Sequence, residues 1–155
     1  MIKRILFVAD FTPDMVPALA YARELAVKFS APLTLMNVID NPTSKRYGSV
    51  AGDFYAQEEN ARRKTLEWLD QLSREQLNGV PNCECTTEIG GLLDRVLETV
   101  AKRKIDLIVV SARSHEGFHL HLRAELGEKL AYQAPCHVLV VHTRPQAGAV
   151  ERQSA

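Results

Sequence analysis

The sequence is short of cysteine, of charge of one sign and of long apolar runs, and each shortage closes a class of function. Three cysteines, Cys83, Cys85 and Cys136, are an odd number and too few for a disulfide framework, which reads as reduced thiols in a cytoplasmic protein. Lys and Arg total 19 and so do Asp and Glu, so no basic surplus draws the chain to nucleic acid or to an anionic membrane. No apolar stretch approaches the length of a membrane span. The opening "MIKRILFVAD" has too brief an apolar run, and no small-residue cleavage site, for a secretion signal. Glycine is scarce where it would matter most. Residues 111–129, "SARSHEGFHLHLRAELGEK", follow an apolar run that reads as a buried strand, yet the loop holds a single early glycine, Gly117. A phosphate cradle needs close backbone approach and often positive φ, which side chains resist.

What is present fits one domain. A chain of 155 residues with 46% hydrophobic and 25% charged residues can bury one core without disulfides or metals. "KRILFVAD", "LTLMNVI" and "IDLIVV" are near-continuous apolar runs, as expected of strands buried on both faces. After the first, Thr12 suits a helix cap, Pro13 a first helical position and Asp14 the positive helix end. Val16, Leu19, Ala22, Ala26 and Phe29 then recur at helical spacing, with Pro17 still in the first turn. Residues 40–53 are rich in turn-formers and read as a mobile loop covering the domain. A helix over about 54–77 carries Leu66, Leu69, Leu72 and Trp68. "CECTTEI" alternates like a half-buried edge strand, and Leu92, Leu93, Val96, Leu97 and Val100 form one helical stripe. A helix over 124–133 and the strand "CHVLVVHT" close the domain at residue 142, leaving 143–155 as a disordered tail.

Strands alternating with helices predict an α/β fold with a single open parallel sheet and helices on both faces. In such sheets ligands sit beyond the carboxyl ends of the strands, where the strand order reverses. Asp10 after the first strand and residues 111–114 after the fourth are the polar strand ends. They share a crevice if those two strands are neighbours. Asp10 alone could equally be a structural acid at the start of a helix.

The stretches "ILFVADFT", "LTLMNVID", "IDLIVVSARS" and above all "EKLAYQAPCHVLVV" resemble the universal stress protein family over residues 2–142. That resemblance implies a five-stranded sheet of order 3-2-1-4-5, a stress-response role and a nucleotide crevice. It places Asp10 at a ribose and the backbone of Val38 at an adenine. In the family's ATP-binding members the fourth strand runs into Gly-x-x-Gly, nine residues, then Gly followed by Ser or Thr. Here those positions hold Ser111, Ser114 and Ala124-Glu125, with Arg113 and Arg123 nearby. The base and sugar positions are kept while the phosphate positions are altered. A carboxylate at Glu125 would repel phosphate by about 3 kcal/mol per unit charge at roughly 5 Å and an effective dielectric near 20. The expectation is no cofactor and no ATP bound in the usual family manner; ATP or AMP on a modified loop, with Arg113, Arg123 and the histidines at 115, 119 and 121 replacing the glycines, is the alternative.

The remaining constellations read more plainly. His115, His119 and His121 are solvated loop residues rather than metal ligands, having no convincing carboxylate or thiol partner. Cys83 and Cys85, alternate residues of one strand, are small packing side chains, as is Cys136. Ser111 or Ser114 beside a histidine lacks a nucleophile elbow, so the chain is not expected to be an enzyme, a weak nucleotide hydrolase using Asp10 being the remote alternative. The functional expectation is a regulator or adaptor that acts on an unknown protein partner. It would be a homodimer through the last strand, with Val138, Val140 and His142 at the interface, because an apolar edge strand invites pairing.

Overall fold

The computed structural model describes residues 1–13, 15–40, 51–112 and 126–142, with side chains from residue 55 onward in the second helix. The elements run β1 (Ile5–Val8), α1 (Met15–Phe29), β2 (Leu33–Ile39), α2 (Ala51–Gln76), β3 (Cys83–Ile89), α3 (Leu92–Arg103), β4 (Leu107–Ala112), α4 (Leu126–Gln133) and β5 (His137–His142). The strands form one five-stranded sheet in the order β3-β2-β1-β4-β5. Every pairing is parallel, with Ile5 opposite both Leu33 and Leu107. The expected α/β architecture and strand order are those observed.

Alternation along the strands divides the core in two. Ile5 and Phe7 of β1, Leu33 and Leu35 of β2 and Val109 of β4 pack under α1 and α2. Leu6, Val8, Met36, Val38, Ile108 and Val110 pack on the opposite face, under α3 and α4. Because β1, β2 and β4 are covered on both sides, both sets of side chains are apolar, and the strands read as unbroken runs.

Helix details depart from expectation in instructive ways. α1 buries Met15, Ala18, Leu19, Ala22 and Ala26, whereas Val16 and Phe29 are 40% and 38% exposed. The buried stripe is rotated relative to the expected one: three of its residues are alanines, and Met15 faces the core in place of Val16. α2 begins at Ala51, earlier than the expected 54, so residues 51–53 belong to the helix and not to the preceding loop. Leu69 and Leu72 are buried, but Leu66 is exposed, and Trp68 stacks on Phe11 with ring centroids 4.2 Å apart. Thr12 does not cap α1 through its side chain: its carbonyl accepts from Met15 N at 3.3 Å while its hydroxyl turns back to Asp10. Asp14, the rest of the loop at 41–50 and the tail at 143–155 lie outside the described residues.

α4 is held against the sheet by a glycine. A Cβ on Gly127 would lie 2.8 Å from Cγ2 of Val140, so the helix approaches β5 as closely as it does only because position 127 has no side chain.

Candidate functional site

The sheet's strand order reverses between β1 and β4, so their carboxyl ends open a cleft. Two of the residues expected there are brought together. Asp10 follows β1 and is 8% exposed. Its Oδ1 accepts from the backbone N of Thr12 at 3.0 Å and from the Thr12 hydroxyl, a side-chain turn that steers the chain from β1 toward α1. Its Oδ2 faces β4, where Ser111 Oγ donates to it at 3.5 Å. Asp10 thus braces the turn after β1 and at the same time lines the crevice.

Val38 lines the same crevice, on the side of β2, together with Leu92 of α3 and Leu126 of α4. Val8, Ala9 and Val110 complete the apolar wall around a cavity of about 20 Å3, enough for one water. Arg113, Ser114, Ala124 and Glu125 lie outside the described residues, as do His115, His119 and His121. Among the described residues lining the crevice the only charge is that of Asp10, and no lysine, arginine or histidine is present.

Sequence reasoning missed Asn37. This side chain is 1% exposed. Its Nδ2 donates to the carbonyl of Ala9 at 2.9 Å, fastening β2 to β1 beside Asp10, while its Oδ1 is buried without a hydrogen-bond partner among the described residues. The signal was available: Asn37 is the one amide within the apolar run "LTLMNVI", and a buried amide is kept only where it has a bond to make.

Among the described residues no three His, Cys, Asp or Glu side chains gather as a metal-binding set, and no helix is long and apolar enough to cross a membrane. Val138 and Val140 of β5 pack toward α3 and α4, Leu139 and Val141 toward α1, and His142 is exposed.

A parallel, doubly covered sheet with an acid at its reversal point defines an open α/β protein with a crevice at the carboxyl ends of its strands. The universal stress protein family model matches residues 1–142, and the chain belongs to that family. A curated universal stress protein of Staphylococcus haemolyticus is 25% identical over 142 residues, covering 91% of this chain and 85% of that protein. The universal stress protein UspA from Lactobacillus plantarum has the same fold at a TM-score of 0.62 and 21% identity, covering 90% of this chain and 97% of its own. A universal stress protein solved in complex with cAMP matches at a TM-score of 0.66 and 19% identity, covering 92% and 98%.

Proposed function

We propose that this protein is a cytoplasmic, non-catalytic regulator or adaptor of the stress response, working as a homodimer and not holding ATP in the family's usual way. The observation that carries this reading is the crevice's described lining, whose one charge is the Asp10 carboxylate and whose other polar side chains, Asn37 and Ser111, carry none. A phosphate chain needs cations or converging backbone N–H groups, and a carboxylate opposes it. The sequence extends the same argument, because Ser111, Ser114 and Ala124 replace glycines and Glu125 places a second carboxylate at the start of the last helix. No nucleophile with an oriented base stands among the described residues of the crevice, which supports a binding role over a catalytic one.

A second reading has its own support. Asp10, Ser111 and Asn37 supply hydrogen-bond acceptors at the base of the crevice. Acceptors suit the hydroxyls of a ribose, so a nucleoside-bearing ligand with few phosphates fits this lining better than ATP does. The relative solved with cAMP binds a ligand of that kind.

Mass analysis of small molecules released from the purified, denatured protein separates the readings. The adaptor releases no stoichiometric nucleotide; the sensor releases a monophosphate or nucleoside. Calorimetry should show weak or no affinity for magnesium-ATP, and tight binding would overturn both. Ser111→Gly, Ser114→Gly, Ala124→Gly and Glu125→Ser together should raise ATP affinity by at least about tenfold, or 1.4 kcal/mol. A folded variant that still ignores ATP would show that the loop is not what excludes it.

A further inference from the structure

A cavity of about 360 Å3 lies at the other end of the sheet from the crevice. Its lining comes from the lead into β1, the starts of β2 and β3 and the end of α3. Arg4, Lys102 and Arg103 meet there with one carboxylate, Glu84, and with two neutral polar side chains, Thr34 and Asn82. The chain as a whole balances 19 basic against 19 acidic residues, so three cations to one acid around a single cavity is a local excess. Leu33 and Ile105, both buried, add an apolar part to the lining.

Neutralising a helix end does not account for these cations. Lys102 and Arg103 belong to the last turn of α3, where positive charge offsets the negative pole of the helix. That end is already closed by other groups. The backbone N–H of Lys104 meets the carbonyls of Ala101 and Val100, Ile105 N donates to Val100 O at 3.0 Å, and Arg4 Nη1 reaches Arg103 O at 2.9 Å. Arg103 is itself turned through Nη1 to Glu84 of β3. These contacts hold two guanidinium groups beside one cavity. Each bond uses one Nη1 of a group with five N–H donors, so both arginines keep donors for a ligand. Lys102 is exposed and has no ion-pair partner among the described residues.

We propose that this cavity binds a small organic phosphate, a phosphomonoester on a short hydroxylated carbon chain. Such a group carries about two negative charges near neutral pH, which matches the lining's net excess of two cations. Guanidinium forks suit its oxygens, and the ammonium of Lys102 is a point charge on a flexible stem that can move to meet it. Thr34, Asn82 and Glu84 offer acceptors to the ligand's hydroxyls, and Leu33 and Ile105 cover its carbon. Glu84 also opposes the phosphate, and it competes for the donors of Arg103. The site shares no residue with the crevice, so it stands or falls separately from the reading of the crevice.

Amide NMR titration of the full chain with glycerol 3-phosphate tests the proposal. At low salt the Kd should be about 1 mM or tighter. Shifts should gather at Arg4, Thr34, Glu84 and Lys102 and leave Asp10, Val38 and Ser111 unmoved. Lys102→Met should weaken binding about fivefold without changing thermal unfolding, and Lys102→Glu should weaken it further. Glu84→Gln keeps an acceptor, removes the opposing charge and releases Arg103, so binding should tighten by about the same fivefold. Salt at about 1 M should remove most of the affinity. The proposal is overturned if glycerol 3-phosphate at about 10 mM shifts no amide of this cavity, or shifts those of the crevice instead. It is equally overturned if inorganic phosphate or succinate binds as tightly, or if folded Lys102→Met binds as the wild type does.

Discussion

The two edges of the sheet are built to opposite plans. β3 carries Glu84, Thr86 and Glu88 on its uncovered face, and Glu84 is ion-paired with Arg103 of α3. Its outward carbonyls are also guarded. Gly90 N and Asn82 O bond toward β2, so by alternation Thr87 O points away from the sheet, and there Arg62 Nη1 of α2 donates to it at 3.1 Å. β5 has no such defence among the described residues. His137 N bonds to Asp106 O, just before β4, which by the same alternation turns the backbone N–H groups of Val138, Val140 and His142 outward. The side chains of residues 138–140 are only partly covered. Charges and covering groups are how edge strands avoid pairing. One edge is therefore closed by its own groups, while the other is open among the described residues, as the proposed homodimer through β5 requires.

The largest test of this contrast is Val138→Pro. Proline on an edge strand removes an outward N–H and keeps the ladder to β4 intact. A dimer through β5 should weaken by at least about a hundredfold, or roughly 3 kcal/mol, with the monomer still folded. Sedimentation across the micromolar range reads the change. A wild-type monomer, or a dimer indifferent to the substitution, would remove β5 as the interface. Val140→Lys would be a poorer probe, because Val140 also packs beneath Gly127 of α4, and its loss would disturb both.

Gly127→Ala comes next. The added methyl meets Val140 at 2.8 Å, and a β-branched side chain has few alternative rotamers with which to turn away. Overpacking of this kind costs about 1–3 kcal/mol. The midpoint should fall by several degrees in calorimetry, at about 2–4 °C per kcal/mol for a chain of this size. If β5 is presented to a partner by α4 behind it, dimer affinity should fall as well. An unchanged midpoint would mean that α4 shifts freely, and that β5 is not held in place by it.

The edges also show what could be read before the structure. The interior strands were legible because burial on both faces leaves an unbroken apolar run, as in residues 5–8, and the order of the sheet came with the family resemblance. The meeting of Asp10 with Ser111 followed from topology alone, since β1 and β4 are neighbours at the reversal point. Choices between equally apolar neighbours were not legible: Met15 rather than Val16 faces the core, which spacing does not encode. Arg62 escaped notice for a related reason. Long-range capping of an edge carbonyl joins residues 25 apart in sequence and leaves no local pattern.

Removing that cap is a smaller perturbation. Arg62→Met keeps the length of the stem and deletes the charged donor to Thr87 O, a bond in a partly buried setting worth about 1 kcal/mol. Chemical denaturation should register a loss of that size. The more informative reading is association, since a newly open β3 edge should add slow, concentration-dependent oligomers beyond the dimer. If none form, the charges on β3 protect it by themselves.

The smallest effect is expected at Glu84→Gln, which tests whether those charges matter to stability or only to specificity. Arg103 and Glu84 are 32% and 56% exposed at their side chains, so their attraction is screened by solvent. Exposed pairs contribute about 0–1 kcal/mol, and the loss here should be within about 0.5 kcal/mol and fade as salt is raised. The variant should also leave the oligomeric state unchanged, because Arg62 still closes the edge. A substantial loss of stability that persists in molar salt would show that Glu84 holds β3 to α3 by packing, and that the edge's charge is not there for exclusion alone.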